Sequence, residues 1–367
     1  MLGFSVRWRR WDWKNLRKMK KPFFVFFALL WATLAHSQQF LWGVGFDTRF
    51  DNREYSGSRL ATSQTLFSSR LSPAVGLGWG KGSSLIVGAD LQLDFGAAEI
   101  FGTPPRVVMY YDYNSPKYKA AAGVFPRSKM AGDYSSAFFS DSVRFYDNNL
   151  EGFLLQYTGG AGYVELGLDW DGMYSKERRE SFRIFSSGRG RLGSFYGGYA
   201  FSMYHLASCF DVHGVVDYMI FNPYVGFDFT DIVPVSKFSL QAGWMQSFQR
   251  DRVREDKFVF PYGGIIDIVL ENWGFGISNS LYMGGDQMPY YNRYSSRLYT
   301  GNPFFRTTSG FYNRTELYWN ISPRIKDLYG IDLHVGVILH YDGRVMASQQ
   351  VAHLSVLLNR GLFASRK

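Results

Sequence analysis

The chain has 367 residues, 19% of them aromatic, with one cysteine, a formal net charge of +9 and a mean hydropathy of −0.17. No run of 18 apolar residues occurs, which excludes a spanning helix, and the single Cys209 excludes an internal disulfide or a multi-cysteine zinc site. The first 37 residues hold eight Lys or Arg against one Asp, a net of +7, so the +9 of the whole chain leaves about +2 for the rest. The basic charge is therefore not a nucleic-acid footprint, and no nucleic-acid partner is expected.

Residues 1–37 read as a cleaved signal peptide. Lys20 and Lys21 precede the apolar stretch Pro22–Ala35, and Ala35-His36-Ser37 supplies small residues for cleavage after Ser37. Met19 is a natural start for such a leader, which makes Met1–Lys18 an early-called start or an extended basic region. Residues 38–367 then form one domain.

That domain alternates. In Ser84–Phe95, Leu85, Val87, Ala89, Leu91, Leu93 and Phe95 are apolar, whereas Ser84, Gly88, Asp90, Gln92 and Asp94 are small or polar. A period of two places the two sets on opposite faces of a strand. The pattern starts at Phe40–Phe50 and returns in Thr65–Gly80, where Pro73 suggests a bulge. After Ser84–Phe95 come Pro105–Tyr113, Lys117–Phe125, Leu150–Thr158 and Tyr163–Gly172. A charged loop, Met173–Gly190, precedes the strand Arg191–His205. Cys209–Met219 and Pro223–Asp231 read as a hairpin joined at Asn222-Pro223. Ser236–Phe248, Tyr262–Leu270, Trp273–Met283, Gly310–Ile321, Gly330–Tyr341 and Gln350–Asn359 complete the chain. Sixteen strands result, or fourteen if Cys209–Asp231 is not a hairpin. Long connections nearly all follow odd-numbered strands and tight turns mostly follow even-numbered ones; the short Ile220–Asn222 and the longer Ser322–Tyr329 connections fit badly. This asymmetry is that of an all-β, closed antiparallel transmembrane β-barrel in the outer membrane of a Gram-negative bacterium, with outer-membrane lipid and lipopolysaccharide as its surroundings. Tyr110, Tyr111, Tyr157, Trp170, Trp244, Trp273, Tyr282, Trp319 and Tyr341 are expected at the headgroup levels. A barrel of this size is compatible with a homo-oligomer.

Several stretches are more specific: Asp51-Asn52-Arg53-Glu54-Tyr55, Arg179-Glu180-Ser181-Phe182-Arg183, Gln241-Ala242-Gly243-Trp244, Met288-Pro289-Tyr290-Tyr291 and Phe305–Gly310. Together they resemble uncharacterised porin-like outer-membrane barrels of Bacteroidetes-type bacteria. The resemblance implies fold and location and carries over no catalytic residue. Such barrels commonly end on an aromatic residue, whereas here Phe363 is followed by Ala364-Ser365-Arg366-Lys367.

Assigning each polar face to the lumen turns Asp47, Arg49, Asp90, Gln92, Asp94, Glu165, Asp169, Gln241, Arg314, Glu316, Asp332, His334, His340 and His353 inward. An acid-rich lumen favours cations or neutral polar solutes. The alternative is that these charges pair across strands and hydrate the wall. The loop Gly284–Ser309 is the candidate for solute contact, through Tyr290, Tyr291, Arg293, Arg297, Phe304 and Arg306: aromatic faces stack on sugars and Arg supplies forked donors. Two clusters hold residue types that hydrolysis needs, His205, Ser208, Asp211 and His213 in one and His340 with Asp342 in the other. Neither has the spacing of a catalytic motif, so turn and lumen wall are the expected roles. No enzyme activity, cofactor or metal is expected. Asp141-Ser142-Val143 resembles a short O-glycosylation site. The leading function is a porin-like channel for passive passage of small hydrophilic solutes. The competing one is a structural or assembly barrel with a filled lumen and partner-binding extracellular loops.

Overall fold

In the computed structural model, residues 39–99, 103–321, 324–325 and 329–360 are described; the expected signal peptide lies outside them. Sixteen long strands make one sheet. They are β1 (Gln39–Glu54), β2 (Gln64–Trp79), β3 (Ser83–Asp94), β4 (Arg106–Asn114), β5 (Tyr118–Pro126), β6 (Asn149–Gly159), β7 (Gly162–Gly172) and β8 (Ser181–Leu192). The second half comprises β9 (Phe195–Leu206), β10 (Val216–Asp228), β11 (Lys237–Asp251), β12 (Tyr262–Asn272), β13 (Phe275–Gly284), β14 (Phe311–Ile321), β15 (Tyr329–Tyr341) and β16 (Met346–Arg360). Each strand pairs antiparallel with its neighbours, and β1 pairs with β16 from Gly43↔Asn359 to Glu54↔Ser348, which closes the ring. Two-residue pieces, Phe258–Val259 and Arg324–Ile325, only extend β11 and β15.

The burial is that of a barrel in lipid. On β7, Val164, Leu166 and Trp170 are exposed, while Glu165, Gly167 and Asp169 on the other face are buried. Exposed apolar side chains recur at outward positions on strand after strand, among them Val107, Met109, Leu155, Val225 and Leu317. A continuous apolar outer face with every backbone group paired in a closed ladder is the form in which strands cross a bilayer. Aromatic rows border this face. One row lies at the tight-turn end, in the pairs Trp79–Tyr111, Tyr118–Tyr157, Phe195–Phe227 and Phe275–Trp319. The other lies at the long-loop end, in Phe67–Phe95, Trp170–Phe182, Trp244–Tyr262 and Phe311–Tyr341. Tyr110 and Tyr282 do not join them. Both are buried on the inner face, where Tyr282 Oη donates to Gly285 O at 2.7 Å.

Sixteen strands are found, but two of the expected segments are arranged differently. Residues 181–206 form a hairpin, β8–β9, where a loop to Gly190 and one strand were expected. Cys209–Asp231 is a loop followed by the single strand β10, with Pro223 in mid-strand. The two differences cancel in the count. Both have one cause: the inner face of β8 and β10 is apolar as well as polar. Phe185 packs over Gly167, where a Cβ would lie 2.1 Å from its ring, and Val216, Tyr218 and Ile220 are buried inside. At Pro223, Asn222 Nδ2 donates to Trp244 O at 3.1 Å, serving a ladder carbonyl beside a residue that has no N–H. Pro73 makes no bulge, since Leu71↔Leu91 and Ala74↔Gly88 keep one register on either side of it.

The core lies inside the ring, at its long-loop end. Residues 127–148, between β5 and β6, and residues 285–309, between β13 and β14, leave the wall eight strands apart in a ring of sixteen, so they start from opposite sides. They meet. Ser140 N donates to Thr300 O at 2.8 Å, Asn302 N to Ser136 O at 2.7 Å, and Thr300 Oγ1 to Phe138 O at 2.7 Å. Gly301 approaches so closely that a Cβ would lie 2.0 Å from Ala137 O. Tyr134, Phe138, Phe139, Leu298, Tyr299 and Phe305 are buried around this bridge. Its ends are fastened to the wall. Glu165 accepts from Ala131 N at 2.7 Å and Gly132 N at 2.9 Å, and Tyr299 Oη donates to Gln249 Oε1 at 2.6 Å. The short helix α1 (Asp141–Tyr146) is capped by Ser140 Oγ and held to β14 by Arg314 Nη2, 3.2 Å from Asp141 Oδ2. Ser142 accepts from Arg53 inside the barrel, which takes it away from the surface position that O-glycosylation needs.

Burial works to raise the Asp141 carboxyl, and the Arg314, Arg49 and Arg144 guanidiniums overcome it, holding the group at about 2 instead of its ordinary 3.8. Because the folded value is depressed, the stabilisation is complete above about pH 4 and is lost as pH falls through about 2. Asp141→Asn is therefore expected to raise amide exchange across residues 127–148 at pH 7, as acidification from pH 4 to pH 2 does in the unmodified chain. Hydrogen exchange read by mass spectrometry checks both.

Candidate functional site

The inner wall is a network of paired charges. Asp47 lies 3.2 Å from His353 Nε2, Arg49 3.6 Å from Asp51, and Arg70 3.7 Å from Asp90. Gln92 accepts from Arg70 at 3.3 Å and donates to Asp94 at 2.9 Å. Glu316 joins Arg314 at 2.9 Å and His334 at 2.9 Å, and Asp169 joins Arg127 at 3.1 Å. Gln241 donates to Asp267 at 3.4 Å. Asp332 is exposed near the tight-turn end. His340 is fully buried, its Nδ1 2.9 Å from Tyr312 Oη and its Nε2 3.2 Å from Gln349 Oε1, and no hydrogen bond joins it to Asp342 among the described residues. Asp147, Asp169 and Asp171 bring carboxylate oxygens within 4.8 Å of one another, and Arg127 Nη2 is 2.8 Å from Asp147 and 3.1 Å from Asp169. A guanidinium thus already supplies the positive charge there.

The loop 285–309 divides its residues between two surroundings. Phe304 stacks on His340 with centroids 4.5 Å apart, and Tyr290 is buried. These rings are spent on the bridge across the lumen. Arg293 pairs with Asp251 at 3.3 Å, Arg306 lies 4.2 Å over the Tyr291 ring, and Arg297 is exposed.

A different arrangement stands on the outer face at the long-loop rim. There β7 to β11 present, side by side across the strands, Trp170, Phe182, His205, Asp217 and Arg250. Their outward direction follows from their neighbours, since Tyr204, Leu206, Val216 and Tyr218 are buried inside. Trp170 stacks on Phe182 at 5.3 Å and Phe182 lies 5.1 Å from the His205 ring. His205 and Asp217 are direct cross-strand partners, and His205 Nδ1 lies 2.8 Å from Asp217 Oδ1. Arg252 adds Nε and Nη2 at 2.7 and 2.6 Å from the second carboxylate oxygen. The carboxylate fixes the ring and its tautomer, which leaves Nε2 free to accept a proton. The loop above is braced by Arg179, whose Nη2 donates to Gly214 O at 2.8 Å and Leu206 O at 3.2 Å. Met173, Tyr174, Phe210, Val212 and Val253 stand exposed around the pair. Exposed charges of both signs alternate with them: Lys176, Arg178, Arg254 and Lys257 with Glu177, Asp211, Glu255 and Asp256. The surface is apolar with charges of both signs, and its exposed cations can meet an anionic lipid headgroup.

Of the cluster His205, Ser208, Asp211 and His213, only His205 belongs to this pair; Asp211 and His213 are exposed in the loop. Its carboxylate partner, Asp217, escapes sequence reasoning because the pairing depends on the β9–β10 register.

Solved barrels overlay loosely. OccD3 (OpdP) of Pseudomonas aeruginosa is 9% identical over 87% of this chain and 91% of its own, with a TM-score of 0.47. A loop-deletion mutant of the outer membrane protein OmpT of Vibrio cholerae is 9% identical over 88% and 100%, with a TM-score of 0.49. OprB of Pseudomonas putida is 11% identical over 88% and 94%, with a TM-score of 0.45. Among curated proteins no match is found. The family model described as lipid A 3'-O-deacylase-type matches residues 37–360, which span all the described residues. That description is of an enzyme family, which overturns the expectation of a barrel without enzyme activity. The barrel, sited in the outer membrane of a Gram-negative bacterium, belongs to the lipid A 3'-O-deacylase-type family.

Proposed function

We propose that the protein hydrolyses an acyl ester of a lipid A-type glycolipid at its outer rim, with His205 as general base. The observation that carries this reading is the His205–Asp217 pair, 2.8 Å apart, on the lipid-facing side at the long-loop rim. The family description supports the substrate class. In the reaction, His205 Nε2 takes a proton from water as the oxygen attacks the ester carbonyl carbon. The C–O bond to the sugar then breaks, and the imidazolium returns the proton to the leaving alkoxide, giving a fatty acid and a free hydroxyl. Asp217 holds the imidazolium that forms, and Arg252 pairs with the second oxygen of that carboxylate. Lys176, Arg178, Arg254 and Lys257 suit the glycolipid's phosphates, and the exposed Tyr174 and Phe210 suit its acyl chains. Lipopolysaccharide is on this account substrate as well as surroundings.

A second reading, passage of small hydrophilic solutes, is supported by the polar lower lumen, where Gln241 and Ser280 both donate to Asp267. The bridge between the two loops would make such a passage narrow, and the paired wall charges would leave it weakly selective.

Fatty-acid release from purified lipid A in mixed micelles tests the first reading. His205→Ala is expected to lower kcat by roughly 10²–10⁴-fold, the span typical of a lost general base, with KM little changed. Asp217→Asn is expected to lower it as well. Equal release by His205→Ala and the unmodified protein would reject the assignment. For the second reading, planar-bilayer recordings should give small steps that enlarge in Asp141→Asn; a silent membrane with both proteins would discard it.

A further inference from the structure

The lipid-facing surface of β13 and β14 carries a polar cluster between its aromatic borders. Phe275 and Trp319, stacked 5.1 Å apart, mark the tight-turn border, and Phe311 with Tyr341 marks the other. Between Trp319 and Phe311 the outward positions of β14 are Leu317, Thr315 and Asn313, two of them polar. On β13, Asn279 stands between Ile277 and Leu281. The outward direction is set by alternation, because Tyr312, Arg314 and Glu316 belong to the inner network and Ser280 reaches the inward Asp267.

The three side chains bond to one another. Asn279 Nδ2 donates to Thr315 Oγ1 at 2.7 Å and to Asn313 Oδ1 at 3.2 Å, Thr315 Oγ1 donates to Asn313 Oδ1 at 2.9 Å, and Asn313 Nδ2 donates to Asn279 Oδ1 at 3.3 Å. That uses both N–H groups of Asn279 and one of Asn313. The second Asn313 N–H has no partner among the described residues. In hydrocarbon an unpaired amide N–H is costly, since lipid offers it no acceptor. Elsewhere on the outer face Thr48 and Ser69 share one hydroxyl hydrogen bond at 2.6 Å, and Asn52 bonds Gln350 at 2.6 Å above the Phe50–Phe67 aromatic pair.

We propose that this face is the interface of a homodimer, with the Asn279–Asn313–Thr315 cluster at its centre. The occupant follows from symmetry and chemistry. Copies of one barrel insert the same way up, so two of them are related by an axis along the membrane normal and each height on one copy meets the same height on the other. An amide that meets its own equivalent is self-complementary, because it carries both a donor and an acceptor. A lipid chain supplies neither. Around the cluster the face is built of branched aliphatic side chains, Ile266, Ile268, Leu317, Val335 and Val337, without an exposed charge.

The test is a disulfide trapped across the axis. Asn313→Cys in a Cys209→Ser background, purified from outer membranes into nanodiscs and oxidised, is expected to give a covalent species of twice the chain mass. Failure to cross-link, or a cross-link only to a protein of another mass, overturns the proposal. A triple variant, Asn279→Leu, Asn313→Leu and Thr315→Val, adds apolar groups to a lipid face and should keep the heat-modifiable mobility of a folded barrel. Light scattering should show its mass fall from dimer to monomer, and a dimer that persists would equally overturn the proposal.

Discussion

Closure of β1 onto β16 is the constraint on which the rest of this molecule depends. In a bilayer no water is present to pair a free strand edge, so the sheet must return to itself before any side chain can matter. The twelve-residue register from Gly43↔Asn359 to Glu54↔Ser348 does this, and it fixes which residues face lipid and which face the lumen. Once closed, the ring inverts the usual arrangement of a globular protein. Its apolar side chains face outward along the belt, and its interior at the long-loop end is filled by two loops that bring an aromatic core of their own. The bridge from Ser136–Ser140 to Thr300–Asn302 therefore does for the lumen what a core does for a soluble domain.

This filling removes chemistry from the places where a channel would hold it. Inner-wall carboxylates such as Asp47, Asp90, Glu165 and Glu316 are engaged by His353, Arg70, the Ala131–Gly132 backbone and Arg314. His340 is buried, stacked on Phe304 and hydrogen-bonded to Tyr312. The rim is otherwise. His205 keeps one ring nitrogen free, with Asp217 behind it and exposed apolar and basic side chains on either side. The proposed deacylation rests on the family match together with this rim pair.

Much of the barrel is legible in sequence, for a physical reason. Where the inner face stays polar, as in β3 and β7, a period of two survives and strand limits are found within a few residues. Where the inner face must also pack against the bridge, as at Phe185 on β8 or Tyr218 and Ile220 on β10, alternation disappears and the strand reads as loop or turn. Asn222-Pro223 has the composition of a turn and becomes strand because an Asn side chain supplies the donor that Pro lacks. The site was half visible. His205 stands out as a residue type, but its partner Asp217 becomes a partner only through cross-strand register, and reading Cys209–Met219 as a separate strand hides that register. The inward turn of Tyr290 and Phe304 is likewise a property of two loops meeting, which no local pattern carries.

The central claim is that the chemistry sits on the outer rim and not in the lumen. Mass spectrometry of lipid A recovered from outer-membrane vesicles carrying the unmodified chain, His205→Ala or Asp141→Asn tests it most directly. The account predicts loss of one acyl chain with the unmodified protein and with the bridge variant Asp141→Asn, and intact lipid A with His205→Ala. Deacylation that survives in His205→Ala but disappears in Asp141→Asn would place the site in the lumen and contradict it.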